Sequence, residues 1–216
     1  MTTLYGYYRS SAAYRVRIVL NLKGLAFEQV PVDLVAGEQR SPAHLARHPQ
    51  GLVPTLETDD GVQLTQSLAI CEYLEECHPT PPLLPGDAAG RARVRALAQL
   101  IACEMHPLNN LRVLRYLVDE LGTSDAAKLA WYRHWIAAGF SALEAQLSRA
   151  AGSGDFCHGD RPTLADACLV PQVFNAERFD CDLGDYPRIR QIVAHCRALP
   201  AFEQAAPAAQ PDASRR

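Results

Sequence analysis

The sequence lacks the signals that would take it into a membrane, onto nucleic acid or into an oxidising compartment. No apolar run approaches the ~20 residues that a bilayer-spanning helix needs. The opening MTTLYGYYRSS has neither the basic start nor the apolar core of a secretory signal. Charge of one sign is not in excess: 21 basic against 24 acidic side chains leave a net charge of -3, which excludes the polybasic footprint of a nucleic-acid binder or of a protein held on an anionic membrane. The seven cysteines (Cys71, Cys77, Cys103, Cys157, Cys168, Cys181, Cys196) contain no C-x-x-C pair and are odd in number and scattered. That argues against a disulfide framework or a metal site and predicts reduced thiols in the core. With no low-complexity tract either, the expectation is a cytoplasmic protein that works on small molecules.

What is present is enough for one large core or two smaller ones: 216 residues, 48% of them hydrophobic and 21% charged. The pattern changes near residue 85. Before it, TTLYGYY and FEQVPVDL read as strands, SSAAYRVRIVLNLKG and SLAICEYLEECH as helices, and VPTLETDDGVQLTQS as a hairpin, giving the order β-α-β-(α)-β-β-α. After the proline-rich TPPLLPGD the chain is helical almost throughout. We therefore expect an α/β domain over residues 1–82 and an all-α domain over residues 88–216. Residues 91–122 predict one long helix kinked at Pro107. Trp131, Trp135, Gly139, Ala142 and Leu147 mark a second helical stripe, and Ile189, Ile192, Val193 and Cys196 a third. Charge follows the same division, with six basic and nine acidic residues up to residue 85 and fifteen of each beyond. The last ten residues, rich in Ala and Pro, read as a loose tail.

Three stretches carry chemistry. In YYRSSAAYRVRIVLNLKG a strand feeds a helix that starts near residue 11 or 12 and ends at Gly24. Such a junction is an anion site, because unpaired N–H groups and the helix dipole converge there. Ser10 or Ser11 can be the N-cap and no more, or can act on a ligand. In GLVPT, Pro54 opens a strand, where a cis bond would turn the backbone of Val53 outward to meet an extended peptide. TQSLAICEYLEE offers Gln66 and Ser67 at a second helix mouth suited to a carboxylate. Two helix mouths and one prolyl strand edge in a single small domain describe a cleft for an extended anionic peptide.

This constellation resembles the glutathione transferase superfamily, with its thioredoxin-like first domain and all-helical second domain. SSAAYRVRIVLNLKG, HPQGLVPTLE, QSLAICEYLEE and PTLADACLVPQVFNAERF resemble its zeta class in particular, whose members act as maleylacetoacetate isomerases; the likeness runs over about residues 4 to 210. Thr163 and Asp166 match the capping box that the superfamily carries in its helical domain, a folding element with Asp166 reaching back to the cap. One departure stands out: the class signature is S-S-C, and here Ala12 stands at the cysteine position. A reactive thiol is thereby lost, while the isomerase chemistry, which uses the sulfur of glutathione, is not.

The resemblance implies glutathione as cofactor, a small diacid as substrate and a homodimer. The cofactor's thiolate adds to a cis double bond, the new single bond rotates, and the thiolate leaves. Ser10 is then the hydroxyl that stabilises the thiolate, with Ser11 second. Arg9 and Arg178 are implied as anchors for the two substrate carboxylates, each otherwise a surface ion pair. Gln39, Val53, Pro54, Gln66 and Ser67 are implied as glutathione contacts. In CEMHPLNNLR, Pro107 removes an N–H and frees the carbonyl of Cys103, so polar groups gather at a bend. There His106, Asn109, Asn110 and Arg112 correspond to a segment that helps bind glutathione, His106 either as a base or as a hydrogen-bonding wall residue. The substrate implied is maleylacetoacetate or its near neighbour maleylpyruvate, which the sequence does not separate; a conjugating or dehalogenating transferase for small α-halo acids, and a non-catalytic binding module, remain as alternatives.

Overall fold

Strand β1 (Thr3–Gly6) turns Leu4 and Gly6 inward and Thr3 and Tyr5 outward, the period-two alternation of a half-buried strand. The computed structural model describes residues 1–149 and 154–213. After β1 come α1 (Ser11–Leu22), β2 (Glu28–Pro31), a 3-10 turn (Glu38–Arg40), α2 (Pro42–Arg47), β3 (Thr55–Glu57), β4 (Gln63–Thr65) and α3 (Ser67–Cys77). This is the expected β-α-β-α-β-β-α order. The sheet runs β2-β1-β3-β4, with β1 parallel to β2 and antiparallel to β3, and β3 antiparallel to β4. This small mixed sheet with flanking helices is the thioredoxin-like arrangement. Leu4 and Leu56 face each other across β1 and β3, neither exposed, and lie in one core with Val16, Ile18, Val19, Leu20 and Ile70. Helix α1 stops where Gly24, at φ 66, gives its N–H to the Asn21 carbonyl, a left-handed position that glycine adopts without strain.

The chain packs as two units, one of Met1–Leu83 with the chain from Arg197 onward, the other of Leu84–Cys196. In the second, α4 (Ala88–Gln99) starts on Asp87, whose carboxylate accepts the Gly90 N–H at 2.8 Å. The single kinked helix expected over residues 91–122 does not form. The chain widens into a π-helical segment (Leu100–Met105), in which the His106 N–H reaches the Ile101 carbonyl five residues back, tightens into a 3-10 turn (His106–Asn109) and restarts as α5 (Leu111–Asp119) under an Asn110 cap. Pro107, which cannot donate and whose ring crowds the preceding turn, is thus met by a change of helix type and a restart rather than by a bend within one helix.

Helix α6 (Asp125–Arg149) buries Tyr132, Ile136, Phe140, Leu143 and Leu147. The expected stripe lies one position off this face for most of its length: Trp131, Trp135 and Gly139 are half-buried and Ala142 is exposed. Gly139 lies against the π segment, where a Cβ would fall 2.0 Å from Met105 Sδ, so only glycine permits that approach. Trp131 stays at the boundary because its indole N–H donates to the Leu108 carbonyl at 2.8 Å. Helices α7 (Leu164–Arg178) and α8 (Pro187–Arg197) follow, the latter burying Ile189, Ile192, Val193 and Cys196 as its periodicity predicts.

Two expectations are corrected. Four cysteines (Cys71, Cys157, Cys168, Cys196) sit in the core, but Cys77 and Cys103 are exposed and Cys181 lies between. The end of the chain is not a loose tail over its described part. Helix α9 (Pro200–Ala205) packs on α1, a 3-10 turn (Pro207–Ala209) follows, and Gln210 and Asp212 are buried; residues 214–216 lie outside the described residues. Composition misses this because the segment is held by a few scattered contacts, the buried Phe202, Ala205 and Pro207 together with polar anchors, rather than by a long periodic stripe. Asn21, for example, donates to the Ala201 carbonyl at 3.0 Å. Among the described residues no helix is long and apolar enough to cross a membrane.

Candidate active site

At the mouth of α1 the backbone reverses when the Ser10 N–H donates to the Tyr7 carbonyl at 2.9 Å. Ser10 is extended (φ -69, ψ 117) and its Oγ accepts the Ala13 N–H at 3.3 Å, so it is the N-cap. A hydroxyl that accepts through its oxygen keeps its own proton to donate. Ser11, the first helical residue, is buried, and Ala12 beside it is half-buried. Arg9, immediately before the cap, is held by aromatic neighbours: its Nη2 donates to the Tyr7 hydroxyl at 2.8 Å, and its guanidinium lies 5.6 and 4.9 Å from the Tyr7 and Tyr8 ring centroids.

The mouth of α3 is built differently. Gln66, its cap residue, is at φ 66 and ψ 107, and its side chain makes no capping bond. A non-glycine residue in that region is a strained exception of the kind found at binding sites. The Gln66 amide is turned aside to donate to Gln50 Oε1 at 2.7 Å. Ser67 is buried, and its Oγ accepts from Nη1 of the buried Arg15 at 2.8 Å, tying α3 to α1. The sequence does signal Arg15: it is a cation inside the apolar run SAAYRVRIVL, yet its partner is 52 residues away.

The Val53–Pro54 bond is cis and leads into β3. The loop before it is anchored from α2: the His44 ring gives its Nε2 proton to the Leu52 carbonyl at 2.7 Å, a pairing that fixes the tautomer because a carbonyl only accepts. His48, one turn on, is buried 6.4 Å from the His44 ring. Burial first, and His44 second, hold its pKa below the ordinary histidine value. Gln39, in the 3-10 turn, is buried with its Oε1 unpartnered. Neither histidine was expected at the site from the sequence; the His-x-x-x-His spacing on α2 is the signal that was there to find.

In the second unit His106, Asn109 and Asn110 follow one another through the 3-10 turn. Asn109 is buried with both amide atoms unpartnered, while Asn110 accepts the Arg112 N–H at 3.1 Å and the Arg112 side chain is exposed. Arg178, the last residue of α7, is exposed, with its guanidinium 4.6 Å from the Phe179 ring centroid. Thr163 and Asp166 form the capping box of α7. The carboxylate takes the Thr163 N–H at 2.8 Å, the Thr163 hydroxyl at 2.7 Å and the Cys157 N–H at 2.8 Å, and nothing of Asp166 is exposed. The structure thus brings Arg9, Ser10 and Ser11 together at the mouth of α1, links Ser67 to that helix, and sets His106 to Arg112 along one stretch of the other unit.

A four-stranded thioredoxin-like unit whose two helix mouths flank a cis-prolyl strand, followed by a helical unit, defines a class, and the chain belongs to the glutathione S-transferase family. Residues 4–82 match the glutathione S-transferase N-terminal domain and residues 130–195 the C-terminal domain. Over 212 residues, 97% of each chain, it is 54% identical to a probable maleylacetoacetate isomerase of Vibrio cholerae serotype O1. Among solved structures it is similar to a holo maleylpyruvate isomerase, a bacterial glutathione S-transferase of the zeta class, with TM-score 0.95 and 50% identity over 97% of this chain and 99% of that one. It is also similar to the maleylacetoacetate isomerase of Methylobacterium extorquens AM1 with malonate and glutathione bound, with TM-score 0.95 and 45% identity over 97% of this chain and 98% of that one. Within the family the chain falls in the zeta class.

Proposed function

We propose that the protein is a glutathione-dependent isomerase that converts maleylacetoacetate or maleylpyruvate to the fumaryl isomer, acting in the cytoplasm as a homodimer. The observation that carries this reading is the Ser10 hydroxyl at the mouth of α1, whose oxygen is occupied by the Ala13 N–H and whose proton is available to an anion. The residues fit glutathione. The mouth of α3 has no side-chain cap to compete with a ligand carboxylate, the cis Val53–Pro54 turn presents backbone to an extended peptide, and the buried Gln39 Oε1 is a polar atom in need of a partner.

Gln66 and Ser67 would hold a carboxylate of the tripeptide, Val53 and Pro54 its backbone, and Gln39, His106, Asn109, Asn110 and Arg112 its remaining polar groups. Bound glutathione supplies a thiolate that can add to an activated double bond and leave again. Ser10, with Ser11 second, stabilises negative charge at that sulfur, aided by the positive end of the α1 dipole. Arg9 and Arg178 hold the two carboxylates of the substrate. Arg9 suits that work because Tyr7 and Tyr8 fix its guanidinium without neutralising it. The Methylobacterium relative was solved with malonate and glutathione bound, which supports a diacid substrate. Ala12 removes the class cysteine and leaves this chemistry untouched.

The test is ultraviolet spectroscopy of maleylacetoacetate and maleylpyruvate with the protein, with and without glutathione. Isomerisation that requires glutathione is expected on at least one of them. Turnover of α-halo acids with none of either maleyl compound would overturn the isomerase reading in favour of a transferase.

A further inference from the structure

We infer that the C-terminal segment is a clamp on the serine loop, with Asp212 and Arg17 as positioning residues for the thiolate site. Tyr8 precedes Arg9 and Ser10, and both sides of its backbone are held. Its N–H donates to Asp212 Oδ2 at 2.9 Å across 204 residues of sequence, and its carbonyl accepts from Arg17 Nη2 at 2.9 Å. Arg17 in turn grips the end of α9, its Nε donating to the Ala205 carbonyl at 2.9 Å. Gln29 Nε2, on β2, reaches Asp212 Oδ1 at 3.3 Å, so the carboxylate also bridges the loop to the sheet. Asp212 and Arg17 are both buried, with relative exposures of 7% and 1%.

Burial lowers the Arg17 guanidinium to about 10, the Tyr14 ring and Asp212 opposing that fall, so it remains charged at neutral pH. A buried arginine and a buried aspartate that converge on the backbone of Tyr8 are a costly way to hold a turn and an effective way to fix the approach to Ser10. With Ser10 N–H closing on the Tyr7 carbonyl, the backbone from Tyr7 to Ser10 is tied at three points, two of them from the far end of the chain or from the arginine that binds it.

This inference rests on the reading that a glutathione thiolate is stabilised at Ser10, and the experiment keeps the two apart. In the full-length protein without glutathione, amide hydrogen exchange over Tyr7 to Ser11 is compared between wild type, Asp212→Ala and Asp212→Asn. With glutathione, the thiolate absorbance is titrated against pH and turnover is measured. Asp212→Ala is expected to raise exchange at Tyr8 at least about tenfold, to move the thiol titration to higher pH and to lower turnover about five- to tenfold, with a smaller change in glutathione affinity. Asp212→Asn should recover at least half the activity, since its amide oxygen can take the Tyr8 N–H and its NH2 can meet Gln29 Oε1, which has no partner. Faster exchange with an unmoved thiol titration, or unchanged exchange, overturns the clamp, as does Asp212→Asn behaving like Asp212→Ala. A wild-type protein that takes up no glutathione overturns the functional reading, and the exchange measurement then still decides whether the clamp holds the loop.

Discussion

The mouths of α7, α1 and α3 differ in what the cap residue leaves over. At α7, Asp166 takes three donors and is wholly buried, so the mouth is closed on itself. At α1, Ser10 satisfies one donor with a long 3.3 Å bond and keeps its proton; at α3, Gln66 satisfies none and sits at positive φ. A buried and saturated cap is a folding device. A cap that is exposed, partial or strained leaves amides and hydroxyls for a ligand. The same residue types, Ser or Thr before an apolar run, serve both purposes, and hydrogen-bond saturation separates them.

The largest effect should come from the closed mouth. Asp166→Ala strands the buried Thr163 and Cys157 N–H groups and should cost about 3 to 5 kcal/mol of stability, read by denaturant unfolding, while the folded fraction still binds glutathione. If instead Asp166→Ala abolishes binding at full stability, the contrast between the mouths collapses. Ser10→Ala should do the reverse, removing roughly 1.5 to 3 kcal/mol of thiolate stabilisation, a ten- to hundredfold loss of turnover, while loss of the N-cap lowers stability by only about 1 kcal/mol. Full turnover in Ser10→Ala with loss in Ser11→Ala would move the donor one residue on.

The arginines sharpen the comparison on the substrate side. Arg9→Ala or Arg178→Ala should lower the specificity constant for maleyl keto acids about ten- to hundredfold. Conjugation of an uncharged aromatic halide should be nearly unchanged; equal losses on both would mean that the arginines serve the fold or the glutathione site. Gln66→Gly tests the open mouth directly. It should relieve about 1 kcal/mol of backbone strain and raise the melting temperature, while glutathione titration shows a several-fold weaker complex.

The smallest effect concerns pH. His48 is held neutral, with a folded pKa below its unfolded value of about 6.5, so its contribution is complete above that pH. The contribution is lost as pH falls, because the unfolded chain takes up the proton first. His48→Gln should therefore flatten the decline of the unfolding midpoint between about pH 6.5 and 5; an unchanged slope would assign the decline to other groups.

The order of elements in the first unit, the prolyl turn, the positions of the two helix mouths and the α7 capping box were legible in the sequence, because each rests on local chemistry: strand alternation, cap residues within three positions, a proline before a strand. The family motifs added the proposed roles of Ser10 and the arginines, which no periodicity contains. The break of the long helix into α, π and 3-10 segments was not legible, since Pro107 says only that an ordinary helix cannot continue. Which turn replaces it depends on packing partners such as Gly139 against Met105. The register of α6 was missed by one residue because an indole and an aliphatic side chain look alike to a hydrophobic count, and the Leu108 carbonyl decided which stayed at the boundary.

By itself, then, the sequence determined what each segment does within a few residues of itself: where helices start, where the chain turns, which thiol is absent at Ala12. Only the tertiary structure decided which caps are saturated, that Arg15 meets Ser67, that His44 holds the loop before the cis bond, and that Asp212 lies against Tyr8. The reason is physical. A cap or a turn is written within a few neighbouring positions, whereas the partner of a buried polar group is chosen by whichever distant segment folding brings within 3 Å, and no local pattern encodes that distance.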